Sequence, residues 1–146
     1  MKVISGGQTG VDRAGLEIAR ERGFETGGKA PGDFLTENGP DPSLKLFGLV
    51  ETTSRSYNPR TAANVRESDG TVLFGDMNSS GSQNTIQYCI RYGRPYITNP
   101  TADGLVRFVR TFHINTLNVA GNRASKLSPA QLTTIRNILR TAFLRL

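Results

Sequence analysis

Apolar and polar positions follow two rhythms along this chain. Short blocks of apolar or β-branched residues recur, and longer stretches between them return to apolar residues every three or four positions. The short blocks predict strands at Lys2–Ser5, Phe24–Gly28, Leu46–Thr52, Gly70–Phe74, Pro95–Thr98 and Thr116–Ala120. The longer stretches predict helices at Val11–Arg22, from Asn58-Pro59 to about Ser68, at Ser82–Tyr92 and Ala102–Phe112, and from Ser128-Pro129 onward. Val11, Ala14, Leu16, Ile18 and Ala19 form the apolar side of the first helix, and Gly23 suits its stop. Asn58 and Ser128 suit N-caps, with proline in the first turn. In the last helix Leu132, Ile135, Ile138, Leu139, Ala142, Phe143 and Leu146 form one stripe, with Arg136 and Arg140 on another face.

Strand and helix alternate throughout. That order predicts an α/β, Rossmann-like fold: a mostly parallel sheet with helices on both faces. No repeat, linker or boundary divides residues 1–146, so a single domain is expected, and this length can bury a core unaided. Residues 29–45 break the rhythm. They are rich in Gly, Pro, Asn and Asp and read largely as loop, of a length that is often functional.

Charge changes the picture in the last third. Residues 104–146 hold Arg107, Arg110, Arg123, Lys126, Arg136, Arg140 and Arg145 and no acid, and they account for the net charge of +6. Such a surface can attract nucleic acid, a phosphorylated ligand or an acidic partner. No helix-turn-helix or RNA-type aromatic motif accompanies it, so a solvated helix face is the preferred reading and nucleic acid is not the expected partner. No apolar run is long enough for a membrane span, and the N-terminus lacks a basic region followed by an apolar stretch. The single cysteine, Cys89, excludes an internal disulfide and a multi-cysteine zinc site. A soluble, cytoplasmic protein is the expectation.

In such a fold, ligands bind where strands end and helices begin. Three segments occupy that position. The first is Gly6-Gly7-Gln8-Thr9-Gly10, whose glycines permit close backbone approach and whose following helix offers a positive end to an anion. It is neither a P-loop nor a full dinucleotide fingerprint, since Ser5 stands where the first glycine belongs. Asp12, just inside that helix, suits helix capping and contact with a ligand hydroxyl, amine or cation equally well. The second is Ser79-Ser80-Gly81-Ser82 through Thr85, rich in hydroxyls, and capping is the competing role there. The third is Asn118–Lys126, where Gly121 turns the chain and Arg123 and Lys126 can neutralise a phosphate. A fourth group, Arg60, Thr61 and Asn64, lies near a helix N-terminus, where a cation is disfavoured unless an anion or acidic partner faces it. His113 and Cys89 read as packing or surface residues, and no metal-ligand set emerges.

Several of these segments together resemble one family. ISGGQTGVDRAGL, TENGP, LVETTSRSYNPRTAANVRESDGTVLF, SSGSQNT, YGRPY and LNVAGNRAS, in that order across nearly the whole chain, are similar to the molybdenum carrier family. The resemblance implies a Rossmann-like fold related to the lonely-guy and SLOG proteins, a homo-oligomer, and the binding of molybdenum cofactor, a pterin carrying a phosphate. The pattern changes at three places. Ser80 and Ser82 stand in a turn that is Ser-Gly-Gly-Thr in the family. Phe34 and Leu35 replace basic residues, and Asn122 and Ala124 replace proline and glutamate.

Residues and resemblance together predict a non-catalytic binding protein for a small phosphorylated heterocycle. The resemblance implies molybdenum cofactor as that ligand. A nucleotide-derived signal, cyclic or ADP-ribose-like, is the alternative in the same class. A lonely-guy-like phosphoribohydrolase is disfavoured: that family's turn reads G-G-x-G-T-x-x-E, whereas Gly81–Tyr88 ends in tyrosine.

Overall fold

The computed structural model describes residues Met1–Leu146. Six strands make one sheet: β1 (Lys2–Ile4), β2 (Glu25–Ala30), β5 (Leu49–Glu51), β6 (Gly70–Phe74), β7 (Tyr96–Thr98) and β8 (Thr116–Gly121). Their spatial order is β5-β2-β1-β8-β6-β7, and every pairing is parallel. Val3 lies opposite Thr26 on one side and Leu117 on the other. Strands β3 (Leu35–Thr36) and β4 (Gly39–Pro40) form a separate antiparallel hairpin.

Five helices complete the fold: α1 (Val11–Glu21), α2 (Tyr57–Arg66), α3 (Ser80–Tyr92), α4 (Ala102–Thr111) and α5 (Pro129–Leu144). Helix α5 packs between α1 and α4 on one face of the sheet, and α2 packs with α3 on the other. The expected α/β architecture is therefore the one observed. A parallel sheet covered on both faces needs central strands that are apolar on both sides. Gly70–Phe74 satisfies this, since all five residues are buried. The main core joins Val3, Val72, Phe74, Leu117 and Val119 of the sheet to Ile18 of α1, Leu105 of α4, and Leu139 and Phe143 of α5. The stripe foreseen on α5 is its buried side. Ser128 caps that helix and exchanges hydrogen bonds with Gln131, and Pro129 fills the first turn.

The structure corrects three expectations. Residues 29–45 are not largely loop. They carry the end of β2, two 3-10 segments (Gly32–Phe34 and Pro42–Phe47) and the β3–β4 hairpin. Asp41 caps the second segment by accepting from Ser43 N–H at 3.1 Å, and Arg13 of α1 ion-pairs with Asp41 at 3.1 Å. The strand foreseen at Leu46–Thr52 begins only at Leu49 because the 3-10 turn continues through Phe47. Helix α2 starts at Tyr57 with Ser56 as its N-cap residue, so Asn58 does not cap it.

Candidate functional site

Strand order reverses beside β1. The chain runs outward from β1 to β2 and β5, then crosses to β6 and β7, and returns to place β8 between β1 and β6. The crevice at the carboxyl ends of strands at such a reversal is where open α/β sheets hold ligands. A cavity of about 690 Å³ lies there, walled by the segments after β1, β6 and β8 and by the start of α2. Its lining is almost wholly polar. Of the expected residues it includes Gln8, Asp12, Arg60, Ser79, Ser80, Gly81, Ser82, Thr85, Gly121 and Arg123.

Gly6, Gly7, Thr9, Gly10 and Asn64 do not line it. Each has another task. A Cβ on Gly6 would fall 1.8 Å from an Arg60 nitrogen, so glycine makes room for that side chain. Gly7, at φ +77°, faces Leu44 and Leu49, and Gly10, at φ +85°, abuts the backbone of Asn122 and Arg123. Thr9 donates its hydroxyl hydrogen bond to Glu37 and accepts from Ala124 N–H. Asn64 bonds both the N–H and the carbonyl of Lys29, at 2.8 and 3.0 Å, and thereby stitches α2 to β2.

The glycine turn encloses an anion that the chain itself supplies. Asp12, with a side chain 4% exposed, accepts from Gln8 N–H at 3.2 Å. Arg60, 14% exposed, meets the same oxygen at 3.2 Å, which supplies the acidic partner its position at the start of α2 requires. Burial pushes the Asp12 carboxyl above the usual range, against the opposing pull of Arg60 and of the Gln8 N–H. The Arg60 guanidinium also lies 5.3 Å from the centre of the Tyr57 ring. Its Nε–H is buried and has no hydrogen-bond partner.

Helix α3 forms the facing wall. Ser79 Oγ caps it by accepting from Ser82 N–H at 3.3 Å. The N–H groups of Ser80 and Gly81 lie in the first turn, where no carbonyl of the helix can reach them. Thr85 turns its hydroxyl back onto the Gly81 carbonyl at 3.0 Å. Ser82 is 3% exposed, and its hydroxyl has no partner.

The third wall is held by Asn122. Its amide oxygen accepts from Asp76 N–H at 2.6 Å, and its amide nitrogen donates to the Asp76 carbonyl and to Ser79 Oγ, both at 3.2 Å. The turn after β8 is thus clamped to the turn after β6. Asn122, Asp76, Tyr57, Ser56, Asn58 and Asn84 line the cavity without having been expected as site residues. All but Asp76 stood inside the segments that carry the family resemblance, which was the available signal. Asp76 had none.

Two other features bear on partners. Four of the seven cations of the last third pair with acids from elsewhere: Arg136 with Glu17 at 3.0 Å, Arg140 with Glu21 at 3.2 Å, Arg123 with Glu37 at 3.7 Å, and Arg145 with Asp103. No three of the His, Cys, Asp and Glu side chains gather as a metal site, and Cys89 is buried away from the cavity with its thiol pushed up by burial. No helix is long and apolar enough to cross a membrane.

Fold and site define a Rossmann-like α/β domain with one polar cavity at the point where strand order reverses. Residues 3–143 match the model of the circularly permutated YpsA SLOG family, and the chain belongs to that family. Among solved structures it is similar to one described as a putative molybdenum carrier protein from Syntrophus aciditrophicus SB, with 31% identity and a TM-score of 0.86, over 97% of this chain and 93% of that one. A second structure, (E)-4-hydroxy-3-methyl-but-2-enyl diphosphate reductase, aligns at 11% identity and a TM-score of 0.41 over 96% of this chain and 59% of that one. No curated protein matches this chain. The family resemblance read from the sequence segments is thereby upheld.

Proposed function

We propose that this protein binds, without turnover, a small phosphorylated heterocycle in the cavity between β1, β6 and β8. Molybdenum cofactor is the ligand that the similarity to the Syntrophus aciditrophicus protein suggests. One observation carries the reading: two hydrogen-bonding groups of the lining, Ser82 Oγ–H and Arg60 Nε–H, are buried without partners. A buried donor left unpaired costs about 1–3 kcal/mol, and phosphate or ring oxygens supply the missing acceptors. The free N–H groups at the start of α3, with Arg123 and Lys126 at the rim, favour negative charge in the same place. A volume of about 690 Å³ suits a nucleotide- or pterin-sized molecule.

No thiol or imidazole lines the cavity. A molybdenum-bearing cargo would therefore be gripped through its phosphate and its heterocycle rather than by a soft ligand from this chain. Tyr57 offers a ring face, and Asp12 and Asp76 offer acceptors for N–H groups.

A nucleotide-derived signal is the second reading. It is favoured by the location of the departures from the family pattern, since Ser80, Ser82 and Asn122 all line the cavity. Phosphoribohydrolase chemistry finds less support: Tyr88 is not in the lining, and Asp12 is engaged by Arg60 and Gln8.

Native mass spectrometry of gently purified protein, followed by denaturation and identification of the released molecule, tests the proposal. A released pterin supports cofactor carriage, and a nucleotide supports the second reading. A protein that is empty and also fails to bind either class in a titration panel refutes both. The intact mass in the same spectrum reads self-association, which the family resemblance implies.

A further inference from the structure

The cavity wall that carries Arg123 adds no side chain to the apolar core. None of residues 121–126 belongs to either hydrophobic cluster, and Arg123 is 46% exposed. Asn122 clamps the start of this wall to the turn after β6, and beyond it one carboxylate from a distant hairpin gathers residues 123–125. Glu37 lies at the tip between β3 and β4, with its side chain 15% exposed. It accepts from the Ser125 N–H at 3.2 Å, from the Ser125 hydroxyl and from the Thr9 hydroxyl, and it ion-pairs with Arg123 Nε at 3.7 Å. Thr9 in turn accepts from Ala124 N–H at 3.1 Å. A single side chain thus ties together the glycine turn, the hairpin and the turn after β8.

The same hairpin tip also fixes Gln8. The Gln8 amide oxygen accepts from Thr9 N–H at 3.0 Å and from Glu37 N–H at 2.9 Å. With its oxygen doubly engaged, Gln8 has its NH₂ group left to offer the cavity it lines.

We infer that Glu37 is a positioning residue for ligand binding: it aims Arg123 and Gln8 into the cavity and holds residues 123–125 in place without touching the ligand. This rests on the reading of the cavity as an anion-binding site. Glu37 does not line the cavity, so its effect is transmitted through residues that do. The ion pair engages Arg123 at Nε, and the two terminal nitrogens of the fork stay available for a bidentate contact with phosphate. An arginine side chain without such an anchor loses more rotamer freedom on binding, which weakens affinity.

The test uses the 146-residue chain, inorganic phosphate as probe, and the variants Glu37→Gln, Arg123→Ala and the double substitution. Amide hydrogen exchange is read first without probe. Glu37→Gln is expected to speed exchange at Ala124 and Ser125 while the amides of β6 and β8 stay protected. Phosphate titration followed by NMR at the Ser80–Ser82 amides is read second. Glu37→Gln is expected to weaken binding by up to about fivefold, the range for losing an ion pair to a half-exposed arginine. Adding Glu37→Gln to Arg123→Ala is expected to cause little further loss, because Glu37 acts through Arg123.

Wild-type binding that Glu37→Gln leaves intact overturns the positioning role and leaves the cavity reading standing. Losses from Glu37→Gln and Arg123→Ala that simply add also overturn it. A wild-type protein whose amides ignore phosphate overturns both. If Glu37→Gln fails to fold, Ser125→Ala removes a hydroxyl donor to the same carboxylate from an exposed position and is expected to show the same exchange signature with a smaller loss of affinity. No change in either readout then counts against the proposal.

Discussion

The Asp12–Arg60 pair makes an asymmetric prediction. Removing one partner of a buried ion pair typically costs about 3–5 kcal/mol, because the other charge is left unpaired. Here the two partners are unequally buried, at 4% and 14% side-chain exposure. Burial dominates the Asp12 carboxyl and raises its pKa even with Arg60 beside it. Replacing that carboxylate with a neutral isostere removes a charge the site disfavours, and the remaining guanidinium borders a cavity. Asp12→Asn is therefore expected to cost about 1 kcal/mol or less, well below the usual loss. Arg60→Met leaves the carboxylate buried without its cation and is expected to cost about 3–5 kcal/mol at neutral pH.

The pH dependence has a defined sign. A carboxyl whose folded pKa is raised binds more protons in the folded state than in the unfolded chain. Stability then falls as pH rises from the unfolded value through the folded one. Arg60→Met raises the Asp12 pKa further, so its deficit is expected to shrink on acidification and to vanish in the double variant Asp12→Asn/Arg60→Met. Urea unfolding of the four proteins at several pH values reads this directly. Equal losses for the two single variants, or an Arg60→Met deficit independent of pH, would refute the argument.

Three shorter predictions follow from the same geometry. Glu37 has the opposite sign to Asp12: hydrogen bonds from Ser125 and Thr9 lower its pKa, so its contribution is present above the unfolded carboxyl value and is lost as pH falls through the folded one, a dependence that Glu37→Gln should flatten in thermal melts. Gly7→Val is expected to act on stability rather than on affinity, because a Cβ there meets Leu44 and Leu49 at 2.7 and 2.8 Å with φ at +77°; a normal melting temperature with lost binding would contradict this. Asn122→Ala leaves the Asp76 N–H and carbonyl without their clamp and is expected to cost about 1–3 kcal/mol in urea unfolding, with faster amide exchange at residues 76–79.

The sheet and helices were legible because they are periodic. Gly70–Phe74 reads as a covered strand from five residues alone, and the α5 stripe with its Ser128-Pro129 start reads as a helix from its spacing and cap. The walls of the cavity were legible too, since they follow from strand–helix order. The misreadings fall where local pattern is overridden by distant partners. Residues 42–47 wind into a 3-10 turn that Asp41 caps and Arg13 of α1 anchors, and no spacing announces that. The start of α2 moved from Asn58 to Ser56 although Asn58-Pro59 is the stronger local signal. The place of Arg60 at a helix start called for an anion, but that the anion is Asp12, 48 residues away, has no trace in a single sequence, nor has the pairing of Glu37 with Ser125, 88 apart.

That last point reassigns the glycine-rich turn. Its residue types suggested a cradle for an external anion, and its geometry is indeed that of an anion cradle. The anion is Asp12, held by the Gln8 N–H and by Arg60, with Gly6 present so that the guanidinium can reach it. A dianionic group placed against that turn would meet the carboxylate and be repelled at low local dielectric. The α3 side differs: its capping serine is neutral, Ser82 Oγ is unpartnered, and Arg123 and Lys126 stand across from it. The two walls therefore divide the work by charge. On the proposed reading, a ligand's phosphate would lie on the α3 wall, and the part facing the first turn would present N–H or O–H groups to Asp12 or stack on Tyr57.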